Sequence, residues 1–135
     1  MSTPLLALLG MALWALLLVT GIGSIRVVQV LQGKVPPKGF NSGQQHGSEA
    51  YWRLNRAHLN CVENLPVLGA LVLVTEVAEL GSAQVDGLAM TYLVARVGQT
   101  VAHVSSGSNM AVNVRFTFFV VQLVVAVAWA VTLLA

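Results

Sequence analysis

Four polar residues, Arg53, Arg56, Asn60 and Glu63, recur at steps of three, four and three in a stretch that is otherwise largely apolar. A helix turns about 100° per residue, so this spacing gathers all four on one face. Further along, Arg96, Gln99 and His103 repeat the pattern, and Arg115, Gln122 and Trp129 recur every seven residues. Guanidinium groups bind carboxylate or phosphate in a planar, bidentate way. Together with Arg26, five arginines fall near one carboxylate, Glu63, while Glu76 and Glu79 lie most of a span away. Such a surplus calls for an anionic ligand. The plain alternative is that Arg56, Glu63 and Arg96 pair with one another to fix helix packing.

The other reactive side chains read differently. Cys61 reads as a small buried group rather than a nucleophile, and a single cysteine cannot close an intramolecular disulfide. His58 falls on the opposite helical face from Asn60 and reads as a packing or interface residue, while His46 reads as solvated in a Gly- and Pro-rich loop. His103 alone lies on a ligand-facing stripe, where it bonds either a ligand or the bundle. Three scattered histidines have no metal-ligand spacing, and no phosphate-cradling glycine loop or nucleophile elbow is present, so no metal is expected. Trp14, Trp52 and Trp129 read as anchors at the lipid interface.

These residues need elements to position them. Of 135 residues, 56% are hydrophobic and 9% charged, against about 25% charged in average proteins. So little charge cannot coat a soluble globule of this size, and lipid accepts the apolar excess directly. A hydrocarbon core of about 30 Å needs roughly 20 helical residues, which predicts one all-α membrane domain over 1–135, a four-helix transmembrane bundle. Its spans lie at about 5–28, 54–80, 85–104 and 114–134. An ionised side chain in hydrocarbon costs at least ~2.5 kcal/mol, so the polar stripes are expected to meet inside the bundle around a polar pocket. Basic residues flank the first and third loops and avoid the second, which puts those loops in the cytoplasm and both termini outside. A net charge of +2 without a dense basic block argues against a nucleic-acid partner.

The run RAHLNCVEN from Arg56 to Asn64, followed by Pro66, resembles the second-helix signature of the MAPEG superfamily, the membrane-associated proteins of eicosanoid and glutathione metabolism. It is most similar to that of the microsomal glutathione transferases. The stretch YLVARVGQTVAHV around Arg96 resembles the family's third helix. The resemblance implies a homotrimer in the membrane lipid, with glutathione as co-substrate at subunit interfaces and a lipophilic small molecule as the second substrate. It implies glutathione contacts for Arg56, Asn60 and Glu63, with Glu63 suited to the amino group. Arg96 would hold a carboxylate, Arg26 would add a basic contact, and Arg115 would stabilise the thiolate as the catalytic residue. Arg53 and His103 complete the candidate glutathione set, His103 standing where family members often place a tyrosine. Conjugation or peroxide reduction is expected, ahead of isomerase activity on prostaglandin precursors. The competing expectation is a non-catalytic membrane subunit that binds a larger complex or a lipid headgroup.

Overall fold

The computed structural model describes residues 1–135 and contains four helices and no strand: α1 (Thr3–Leu31), α2 (Glu49–Val77), α3 (Ala83–Ser105) and α4 (Asn109–Leu134). Each follows a serine. Ser2, Ser48, Ser82 and Ser108 are N-caps in extended conformation, and their hydroxyls accept from the backbone N–H of Leu5, Tyr51, Val85 and Ala111. A cap of this kind satisfies one of the donors that a first helical turn leaves open. The caps move the helix ends away from the hydropathy boundaries. α2 runs over Glu49–Val77 rather than 54–80, and α4 begins at Asn109 rather than 114. Hydropathy marks where hydrocarbon starts, whereas a capped helix continues beyond it into the headgroup region.

Three helices, α1, α2 and α4, are long and apolar enough to cross a membrane. α3 is more amphipathic and turns its polar side inward, burying Arg96, Gln99, Thr100 and His103. At about 1.5 Å per residue it is nonetheless ~35 Å long. Only 23 of 135 residues are buried, and large side chains such as Leu13, Leu17, Phe116 and Val124 point outward. Such an exterior suits lipid rather than water. The chain is an integral membrane protein.

α2 and α3 pack on each other and on both remaining helices, while α1 and α4 flank them without packing on each other. The core joins Ala7, Met11 and Leu18 of α1 to Cys61, Leu68 and Val72 of α2, Val85 and Tyr92 of α3, and Val125 and Trp129 of α4. Gly98 lets α4 close on α3, since a Cβ there would lie 2.7 Å from the Phe118 ring. Trp129 is fully buried and its Nε1 donates to Thr75 Oγ1 at 3.0 Å, so it fastens α4 to α2 rather than anchoring at the lipid interface as its residue type suggests. Its seven-residue phase with Arg115 and Gln122 keeps it on the inward stripe. Cys61 is buried as expected, with Sγ 3.7 Å from Thr100 Oγ1.

Hydroxyls on the outer faces are satisfied locally. Thr20, Ser24, Thr91, Thr117 and Thr132 each donate to the carbonyl four residues earlier at 2.7–2.9 Å. The up-and-down chain gives the bundle two unlike ends. One carries Arg26, Lys34, Lys38, Arg53, Arg56 and Arg115, and the other carries Glu76, Glu79 and Asp86 beside the N-terminus, where the Ser2 hydroxyl donates to the Glu76 carboxylate. Glu49, in the first turn of α2, joins Glu63 on the basic side, so Glu63 is not the lone acid there.

Candidate functional site: two clefts around α2

The polar stripes do not meet in one enclosed pocket. They form two open clefts, because α1 and α4 lie on opposite sides of the α2–α3 pair. The first, of about 420 Å³, lies along α2 and is bounded by Arg26 of α1 and by Asn41, Ser42 and His46 of the first loop. Arg56, His58, Asn60 and Glu63 supply its α2 wall, with Trp52 and Asn55 nearer the loop. The second, of about 240 Å³, is bounded by Gln99 and His103 of α3 and by Arg115 of α4, with Val112, Phe116 and Phe119 as its apolar side. Arg56 and Asn60 line both.

Six of the eight candidate residues therefore line a cleft. Arg26 and Glu63 reach only the first, His103 and Arg115 only the second, and Arg56 and Asn60 stand between. Arg53 and Arg96 line neither. Arg53 packs near the α3–α4 turn, where a Cβ on Gly107 would lie 3.5 Å from its Nη1. Arg96 is 1% exposed, sunk among the helices, with Nε and Nη2 lacking any hydrogen-bond partner.

Several side chains take roles that helical phase does not reveal. His58 lines the first cleft, because the loop folding over α2 widens the face that counts as lining. His46 is half-buried rather than solvated, with Nε2 3.1 Å from the Tyr51 hydroxyl and its ring against Trp52 at 5.4 Å. Trp52 is thereby a wall of the cleft rather than a lipid anchor. Tyr51 and Asn55, one turn apart, hold Arg26: Nε donates to Tyr51 Oη at 2.8 Å and Nη2 to Asn55 Oδ1 at 3.2 Å. The GSEAYW run from Gly47 carried the signal for this, since a capping Ser48 starts the helix early enough to place Tyr51, Trp52 and Asn55 in its first two turns. In the second cleft Gln122 donates to both Gln99 Oε1 and Phe118 O at 2.9 Å. That fixes the Gln99 amide with its NH₂ free to serve as a donor. His103 is 3% exposed and its Nε2 has no partner. At mid-helix Tyr92 donates to Asn64 Oδ1 at 3.0 Å, tying α3 to the α2 signature run.

Chemically, the first cleft opposes guanidinium groups to one carboxylate, which suits a ligand bearing both carboxylate and ammonium. The second sets a guanidinium beside phenylalanines, which suits an anion next to an apolar reactant. The sequence model of the MAPEG family matches the chain over residues 4–135. The chain belongs to the MAPEG family. No curated protein and no solved structure matches it. MAPEG membership places the chain among membrane proteins of glutathione and eicosanoid metabolism, and the inward polar faces of α2 and α3 are where its clefts lie.

Proposed function

We propose that this MAPEG protein is a membrane-embedded glutathione transferase. It conjugates the glutathione thiol to lipophilic electrophiles, and it reduces lipid hydroperoxides to alcohols, the thiolate sulfur taking the outer oxygen and a second glutathione then displacing water to give the disulfide. The observation that carries the reading is the pair of cationic clefts sharing Arg56 and Asn60. Glutathione has two carboxylates, one ammonium and one thiol. In this reading Arg26 and Arg56 take carboxylate charge, Glu63 takes the ammonium, and Asn60 bonds the peptide between them. A free thiol titrates near ~8.5, and a guanidinium beside it favours the anion. Arg115 is the group suited to that work, with Gln99 and His103 alongside. Phe116, Phe119 and Val112 then offer the electrophile an apolar approach from the bilayer. Positioning and thiolate stabilisation are the whole of the catalysis. Arg53 and Arg96 contribute positive potential without touching the ligand within one subunit.

The reading includes a homotrimer. Arg26 and Arg115 face opposite ways from one subunit, and both clefts are open, so a neighbouring copy that set its second cleft against the first would complete a site around one glutathione. The experiment is ultraviolet difference absorbance of the purified protein with glutathione. Thiolate absorbance that Arg115→Ala removes is the expected result, and a folded wild-type protein without it overturns the reading. Gentle extraction followed by mass measurement separates the enzyme from a scaffold: a trimer of this chain alone is expected, whereas a stoichiometric foreign subunit favours a non-catalytic role.

A further inference from the structure

The first loop is hydrogen-bonded to the bundle through Tyr51. Tyr51 is 4% exposed, and its hydroxyl lies 2.8 Å from Arg26 Nε and 3.1 Å from His46 Nε2. For a neutral imidazole the direction of these bonds follows from their partners. His46 Nδ1 lies 3.1 Å from the Gln44 carbonyl oxygen, which can only accept, so Nδ1 carries the proton. In the neutral ring Nε2 then accepts from the Tyr51 hydroxyl, and the hydroxyl oxygen accepts from Arg26. The phenol of α2 thus bridges Arg26 of α1 and His46 of loop one. Around it the Arg26 guanidinium lies 5.3 Å from the Phe40 ring centroid, and His46 packs against Phe40 at 5.9 Å. The loop reaches Tyr51 because Gly47 has φ +71 and no side chain, where a Cβ would lie 2.7 Å from the Tyr51 ring.

Both groups that Tyr51 holds are walls of the first cleft, and so are Asn41 and Ser42, which the same loop carries. We infer that Tyr51 is a positioning residue for ligand recognition: its hydroxyl aims the Arg26 guanidinium and holds the 41–46 segment as the neutral polar wall facing Arg56 and Glu63. Free Arg26 would sample many rotamers, and free loop residues many backbone states, so the latch lowers the ordering entropy that binding must overcome. Its effect belongs to binding rather than to the thiol chemistry in the other cleft. As regards the ligand, the inference rests on the glutathione reading above.

The test uses the full chain in detergent or lipid, with Tyr51→Phe, which keeps the ring and removes the hydroxyl. Two readouts are paired: amide hydrogen exchange across residues 40–47, and steady-state kinetics with glutathione. Expected are exchange about tenfold faster in that segment with α3 and α4 unchanged, and a KM for glutathione raised about tenfold with kcat within about twofold. Unchanged exchange in the loop overturns the latch. Faster exchange with unchanged KM makes Tyr51 merely structural and overturns its part in recognition. If Tyr51→Phe does not fold, Gly47→Ala pushes the loop off the ring while leaving every latch atom in place, and the same two readouts decide. A wild-type protein that binds no glutathione defeats the proposed function, and loop exchange then judges the latch alone.

Discussion

The two clefts flanking α2 share Arg56 and Asn60 and are otherwise built from different materials. The first is walled mostly by polar and charged residues of α2, with Arg26 of α1 and with Asn41, Ser42 and His46 of the first loop. The second is walled by α3 and α4, with phenylalanines beside Arg115. Within one subunit, the proposed function puts recognition and reaction in different clefts: a polar cleft can discriminate by hydrogen bonds, whereas an apolar one admits many lipophilic partners and discriminates weakly. Arg56 and Asn60 are the places where one could influence the other.

That division can be tested by substitution. Under the proposed function Arg115→Ala has the largest effect, lowering kcat by about 10²–10³ with glutathione affinity little changed, as single-turnover kinetics would show. A loss confined to affinity would place Arg115 with the recognition cleft instead. Arg56→Ala touches both walls, so Kd and kcat should each worsen by about tenfold to a hundredfold in calorimetry and turnover. An effect on only one of them would break the picture of a shared wall. Glu63→Gln removes one charged partner from the first cleft alone, and should weaken glutathione by about tenfold while sparing an analogue that lacks the amino group. Equal weakening of both ligands would remove the ammonium role. Smallest is Trp129→Phe, which deletes the bond to Thr75 at the far end. It should lower stability by about 1 kcal/mol in thermal unfolding and leave both clefts' kinetics alone.

Much of this was legible in the residues. The apolar runs located the helices, and the three-and-four spacing of Arg53, Arg56, Asn60 and Glu63 put polar groups on one face of α2. The inward phase of Arg96, Gln99 and His103 likewise followed from α3's pattern. Spacing within a helix cannot report which neighbour stands on which side. α1 and α4 were free to converge on one pocket, and instead they stand apart, sending Arg26 and Arg115 to separate clefts. Helical phase misled at His58, because a loop that folds back on its helix creates lining surface where the helix alone shows an outer face, and loop composition misled at His46, which packs on Tyr51 and Trp52. Hydropathy placed the start of α2 late, since the capped first turns around Tyr51 and Trp52 are not greasy enough to register.

The self-bonded hydroxyls bear on how far each helix depends on its neighbours. Thr20 and Ser24 on α1, like Thr117 on α4, face outward with their hydrogen bonds already closed on their own backbone. These groups need no neighbouring helix in the bilayer. α3 cannot be so independent, because Gln99 receives its partner only from Gln122 and Tyr92 only from Asn64. The Gln99 side-chain carbonyl therefore goes without its partner until α4 lies beside α3, so the residues that build the second cleft also couple these two helices in the bilayer.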